Sequence, residues 1–275
     1  MNRSFKTQAL PWMLVGLLLS GCATNAGPTL SRQDRLAAVL PADALLLGEQ
    51  HDAPDHHRLQ TEVVSLLASR RQLAALILEM ADQGSHTRKL PTSASETQVK
   101  AALNWSETAW PWPSYSGAVM AAVRSGVPVL GANLPRSQMR EKMNDSRLDA
   151  LLPQQALMVQ RERVRTGHCD SLPPERIGPM VRIQIARDLS MAQTIQSALR
   201  PQMTVVLLAG RGHVDRLVGI PLHLPASLSL KAISLGEPSA QENGSEITPH
   251  WDAVWPAAAG PSIDYCAQFK LSPAR

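Results

Sequence analysis

Leu45-Leu46-Leu47-Gly48-Glu49-Gln50-His51-Asp52-Ala53-Pro54-Asp55-His56-His57 decides how the rest of the chain is read. Three consecutive leucines specify a buried strand, and Gly48 lets the chain turn sharply after it. Asp55 then stands where a helix N-cap belongs, ahead of Leu59, Val63, Leu66 and Leu67 at helical spacing. In a strand-then-helix unit the residues just past the strand lie on the carboxyl edge of the sheet, the rim where open α/β folds collect ligands. Local pattern alone therefore places Glu49 and His51 at a site.

Three further apolar runs end in polar residues. Leu73–Leu78 leads into Glu79-Met80, Val127–Leu130 into Gly131-Ala132-Asn133, and Met203–Leu208 into Ala209-Gly210-Arg211-Gly212-His213. Leu228–Leu235 is the candidate last strand. Gly48-Glu49-Gln50-His51 and Gly210-Arg211-Gly212-His213 share a Gly-x-x-His form, each directly after a buried strand. If the strands are parallel, right-handed crossovers bring these ends to one rim. The expected fold class is thus α/β, a mainly parallel sheet flanked by helices, with a smaller helical subdomain. Two carboxylates and two imidazoles, Glu49, Glu79, His51 and His213, suffice to hold a divalent metal or to run acid–base chemistry. Taken singly, each is equally well explained as a helix cap or a loop tie. His56 and His57 are adjacent on an opening helical turn and point to different sides, so at least one is expected to be structural or solvent-facing.

Helices are expected over Ser31–Leu40, from Asp55 to about Arg70, and over Tyr115–Ser125, Pro135–Met143 and Pro153–Val164. A long one opens at Pro173-Pro174-Glu175 and carries Ile177, Val181, Ile185, Leu189, Ala192, Ile195 and Leu199 on one face. Aromatics make up 4% of the chain, yet Trp105, Trp110, Trp112 and Tyr115 fall within eleven residues, which makes this cluster worth locating. Tryptophans at irregular spacing around prolines suit core packing first and a flat apolar ligand second. Tyr115 is placed to offer a phenolate oxygen to ferric iron, as tyrosine does in some haem proteins, and His168 in Gly167-His168-Cys169 is a second possible axial ligand.

The N-terminus is not part of the fold. Arg3 and Lys6 precede an apolar core, Leu10–Leu19, that is too short to span a bilayer, for which about 20 residues are needed. Leu19-Ser20-Gly21-Cys22 matches the bacterial lipobox, so residues 1–21 read as a lipoprotein signal peptide and Cys22 as the lipidated (palmitoylated) N-terminus. Ala23, in place of an inner-membrane retention Asp, directs the expectation to the outer membrane, facing the periplasm. Without Arg3 and Lys6, 25 basic residues face 23 acidic ones, and no basic stripe is visible, so nucleic acid is not an expected partner. Besides Cys22 there are two cysteines, Cys169 and Cys266; in an oxidising compartment a leftover pair is expected to bridge, the alternative being two free thiols. Residues 22–43 read as tether and first helix, 44–236 as the α/β domain with helical insertions, and 237–275 as a Pro-, Ala- and Ser-rich extension packed on it.

These residues resemble a known family. Gly48-Glu49-Gln50-His51-Asp52, His56-His57, Gln60 and Glu79-Met80 are similar to the ChaN-type haem-binding lipoproteins. So are Trp110-Pro111-Trp112 with Tyr115, Asn133-Leu134-Pro135-Arg136, Gly167-His168-Cys169, Gln184-Ile185-Ala186-Arg187-Asp188 with Met191-Ala192, and Ala209-Gly210-Arg211-Gly212-His213. The matches run in order from about residue 44 to 225. The resemblance implies membership of the wider Tiki/TraB/erythromycin-esterase superfamily, whose enzymatic branches use the paired Gly-x-x-His motifs for hydrolysis, some with a metal. For the ChaN branch it implies ferric haem held where two subunits meet, in iron acquisition, with exchange to an outer-membrane haem receptor. On that reading Tyr115 or His168 meets the iron in a cleft lined by Trp112, and Arg187 or another rim cation meets the propionates. The rival reading is a metal-dependent hydrolase using Glu49, His51, Glu79 and His213.

Overall fold

The structure is a computed structural model that describes residues 1, 31–237, 250–261 and 263–267. The expected signal peptide and Cys22 lie outside them. In chain order the regular elements are α1 (Arg32–Val39), β1 (Ala44–Glu49), α2 (Pro54–Ser69), β2 (Leu73–Asp82), α3 (Glu96–Ala102), α4 (Trp112–Arg124), β3 (Val129–Asn133), α5 (Met139–Asn144), α6 (Gln154–Gly167), α7 (Pro174–Ala198), β4 (Thr204–Gly210), the single turn α8 (Arg211–Val214), β5 (Leu230–Leu235) and β6 (Ala253–Trp255).

The strands form one six-stranded sheet in the order β3-β2-β4-β1-β5-β6, with every pair parallel. Helices cover both faces, which is why the strands are continuously apolar and do not alternate. Leu45 and Leu47 of β1 face α2 and α4, with Val206, Leu208, Ile233 and Leu235 beside them. Leu46 faces the other way, with Ile77, Val205 and Leu207 against Met191 and Ile195 of α7. Each fully buried leucine contributes about 1.5–3 kcal/mol of transfer free energy. A third cluster, built on Leu148, Val159, Val181 and Ile185, packs α5, α6 and the first half of α7 into a helical subdomain beside the sheet.

Two local expectations are corrected. Asp55 is not the N-cap of α2. Ala53 takes that position and Pro54 opens the helix, because proline's missing N–H and fixed φ suit the first turn. Asp55 instead sits in that turn and accepts the backbone N–H of Ala258. The chain beyond residue 236 also contributes to the sheet: Ala253–Trp255 pairs with β5 as a sixth strand, and Trp255 is buried against the α2 face. A three-residue strand followed directly by a proline and three alanines carries too little periodicity to be seen in advance. At the opposite edge, β3 is covered by the segment at Ser85–Thr87, through Gly131 N–H to Ser85 O (2.9 Å) and Thr87 N–H to Val129 O (3.0 Å). That pairing closes an edge otherwise open to another strand. Among the described residues no helix is long and apolar enough to cross a membrane.

Candidate functional site

Parallel strands all end on the same rim, so β1, β2 and β4 deliver Glu49, Glu79 and Gly210 side by side. Glu49 ends β1, is 2% exposed, and is the hub of one half of the site. Its Oε1 accepts the Tyr115 hydroxyl at 2.6 Å and His51 Nδ1–H at 2.7 Å, and its Oε2 accepts from the Gln60 amide. His57 Nε2 lies 3.8 Å from Oε2, and the His57 and Tyr115 rings pack 4.9 Å apart. Gln60 and His57 come from the α2 face turned to the sheet, Tyr115 from α4.

Glu79 is the hub of the other half. Its Oε2 accepts the backbone N–H of Gly210 at 2.7 Å, and its Oε1 lies 3.5 Å from His213 Nε2. His213 donates through Nδ1 to Asp188 Oδ1 of α7 at 2.5 Å. A doubly protonated imidazole is therefore held between two buried carboxylates. Burial opposes its charge, but Asp188 and Glu79 prevail and push the His213 pKa up to about 10. Burial works against the charge of Glu79, yet His213, with His51 and the Gly210 N–H behind it, holds that carboxyl well below the usual carboxylate range. Asp188 moves the other way: burial raises its pKa more than His213 lowers it. His51 Nε2, 4.0 Å from Glu79 Oε2, links the two halves. Burial works against His51's charge, yet the Glu49 hydrogen bond and the Glu79 charge raise its pKa.

The four residues Glu49, His51, Glu79 and His213 are thus brought together at one rim. Among the described residues no group of three or more His, Cys, Asp or Glu is placed to hold a metal ion. His56 and His57 are both buried, so the expectation that one of them could face solvent is met only in its structural alternative. His56 Nδ1 accepts the Gln50 N–H at 2.9 Å, and its Nε2 has no partner among the described residues. Burial, then the Arg211 charge, lowers the His56 pKa to about 4. A histidine neutral in the fold and free to protonate when unfolded stabilises the protein above pH 6.5 and loses that contribution as pH falls towards 4. Between pH 7 and pH 4.5 the wild type should therefore lose about 2 kcal/mol more stability in urea unfolding than His56→Gln does.

The aromatic cluster is mostly core. Trp112 is 4% exposed and donates its indole N–H to Glu96 Oε2 at 2.6 Å; Trp105 donates to the Trp110 carbonyl at 2.9 Å. Tyr115 is 1% exposed, and burial and the Glu49 charge raise its pKa strongly. Only Trp110 reaches the rim, with its ring 4.8 Å from that of His51. His168 caps α6, its Nδ1 bonded to the Val164 carbonyl at 2.8 Å, in the subdomain and not among the rim carboxylates. Among the described residues, Arg187, one residue before Asp188, keeps a buried Nε without a hydrogen-bond partner, as Asn133 at the end of β3 keeps its Oδ1.

The chain from His250 to Ala267 was not anticipated at the site. Cys266 is bridged to Cys169 at the α6–α7 turn, with Cα atoms 5.4 Å apart. Next to it, Tyr265 donates its hydroxyl to Asp52 Oδ2 at 2.6 Å while remaining 58% exposed. That bond, more than burial, pushes the phenol pKa up to about 12. One signal pointed there: the second of only two tyrosines adjoins a cysteine.

A family model described as haem-binding uptake, Tiki superfamily, ChaN matches residues 35–224. The chain belongs to the ChaN family. Of solved structures, one described as cofacial heme binding to ChaN of Campylobacter jejuni is 25% identical, with a TM-score of 0.66, covering 78% of this chain and 89% of that one. A Bacillus cereus protein (12% identical, TM-score 0.42, covering 76% of this chain and 70% of that one) and a mutant of the erythromycin esterase EreC in its open conformation (15%, 0.44, 74% and 72%) are more distant and carry no argument about activity. No curated protein matches the chain. The ChaN match spans all the carboxylates and imidazoles of the rim and stops before β5 and the strap that follows it.

Proposed function

We propose that this ChaN-family protein is a haem-binding lipoprotein of the outer membrane, anchored through Cys22, facing the periplasm and serving haem or iron uptake. The observation that carries this reading is the family match across residues 35–224, joined to 25% identity over 89% of the Campylobacter protein described with cofacial heme. The donor set at the rim fits the group. An exposed phenol, a histidine ring backed by a carboxylate and the ring of Trp110 beside it meet the needs of ferric iron and a macrocycle face. Bound haem would supply the iron cargo and its optical signature; the residues here bind and orient it. A homodimer in which two copies face each other across the rim would remove a flat apolar ligand from water.

The test is a hemin titration of the purified full chain in detergent, followed in the Soret region and by sedimentation velocity. A saturable Soret change near one hemin per chain, with a shift from monomer to dimer, is the expected result. An absorbance that grows linearly without saturation defeats the reading. Anchoring is tested separately by incorporation of a clickable palmitate analogue, which Cys22→Ala should abolish.

A further inference from the structure

Residues 250–261 and 263–267 form a strap across the rim that is tied down at several points. His250 N–H donates to Asp215 Oδ1 at 3.0 Å, β6 pairs with β5, and Ala258 N–H donates to Asp55 Oδ2 at 2.8 Å. At Gly260 the backbone lies so close to the β1–α2 turn that a Cβ would meet Asp52 Oδ1 at 2.8 Å and Gln50 Nε2 at 2.9 Å. Tyr265 then meets Asp52, and Cys266 is bridged to Cys169. The strap therefore runs from the sheet edge, over the turn that carries His51 and Asp52, to the helical subdomain. Nothing in the family match reaches it.

The chain has two tyrosines, and the fold treats them oppositely. Tyr115 is enclosed by Trp105, Trp110 and His57, and its oxygen is committed to Glu49 inside the protein. A planar macrocycle cannot reach that oxygen without dismantling the core around it. Tyr265 presents its ring to solvent at the rim, and its hydroxyl already points at a base. Asp52 Oδ1, the other oxygen of that carboxylate, is buried and has no partner among the described residues.

Building on the haem-binding reading above, we infer that Tyr265 is the protein's iron ligand and Asp52 the group that receives its proton. On binding, the Tyr265 phenol would give its proton to the Asp52 carboxylate that it already meets, and its oxygen would hold the ferric iron in place of the water or hydroxide carried by free hemin, with no change of oxidation state. Asp52 is a positioning residue in this step, aiming the phenol and accepting its proton, and the bridge at the neighbouring Cys266 holds the ligand over the rim.

The experiment titrates hemin into the full-length wild type, Tyr265→Phe, Tyr115→Phe and Asp52→Asn, recording the visible charge-transfer absorption of phenolate-bound ferric haem and the high-spin EPR signal. Tyr265→Phe should lose the charge-transfer band and bind at least roughly tenfold more weakly, while Tyr115→Phe keeps the band; Asp52→Asn should keep the band but weaken binding roughly tenfold and make the spectrum more dependent on pH. Far-UV circular dichroism establishes that each variant is folded, and an exposed Tyr→Phe change removes one oxygen only. A wild-type spectrum in Tyr265→Phe, or loss of the band in Tyr115→Phe instead, overturns the ligand assignment and leaves the haem-binding reading standing. Failure of the wild type itself to bind hemin overturns both.

Discussion

Glu49→Ala is expected to cost about 3–5 kcal/mol of folding free energy, a large fraction of the 5–15 kcal/mol a domain of this kind possesses. The reason is what the carboxylate leaves behind. Tyr115 Oη, His51 Nδ1 and the Gln60 amide all donate to it, and Tyr115 and Gln60 are fully enclosed. Deleting the acceptor leaves those donors without water or partner, and it removes the charge opposite His51. Glu49→Gln, which preserves shape and one acceptor oxygen, should recover part of the loss, and Tyr115→Phe should cost about 1–2 kcal/mol because it removes a single bond. Urea unfolding of the three variants measures this ordering. A Glu49→Ala midpoint within error of wild type would show that the carboxylate is dispensable to the fold, and the site would then have to be regarded as an open cavity.

Gly131→Ala is expected to cost about 3 kcal/mol, and to act on the rim as well as on stability. A Cβ at this position would stand 2.3 Å from both the Asp82 carbonyl oxygen and Ser85 Oγ, and 2.9 Å from the Ala81 carbonyl carbon. These are mainly backbone atoms of the β2 terminus, where the β2–β3 register shifts between Leu78 and Asp82. The backbone must therefore move, and the two strand ends beside Glu79 and Asn133 move with it. Gly212→Ala is the control. Nothing lies within 4 Å of its added Cβ, so its effect should stay within about 0.5 kcal/mol. Thermal unfolding of the pair separates the two cases, and equal midpoints would refute the crowding argument.

Much of the molecule was legible along the chain because its signals are local. A short apolar run such as Leu45–Leu47 or Val205–Leu208, closed by a glycine, suits a strand covered on both faces. The polar residue that ends each run then lands on the rim whatever the strand order. The convergence of Glu49, His51, Glu79 and His213 follows from that and from parallel pairing. The helix boundaries were legible where caps and periodicity agree, as at Ser31 and along α7, and less so at Asp55, where Pro54 took the first position.

Contacts between distant parts of the chain had no such signal. The order β3-β2-β4-β1-β5-β6 depends on which crossovers pack best, and no residue encodes it singly. That Tyr115 turns inward to Glu49, that His213 is shared by Glu79 and Asp188, and that Tyr265 comes to rest on Asp52 are outcomes of packing between segments tens to hundreds of residues apart. By itself the sequence determined the elements, the class of fold and the residue types at the rim, because side-chain periodicity reports burial within a few residues. The tertiary structure alone decided which phenol is enclosed and which stays exposed, because solvent exposure belongs to the assembled surface and not to any stretch of chain.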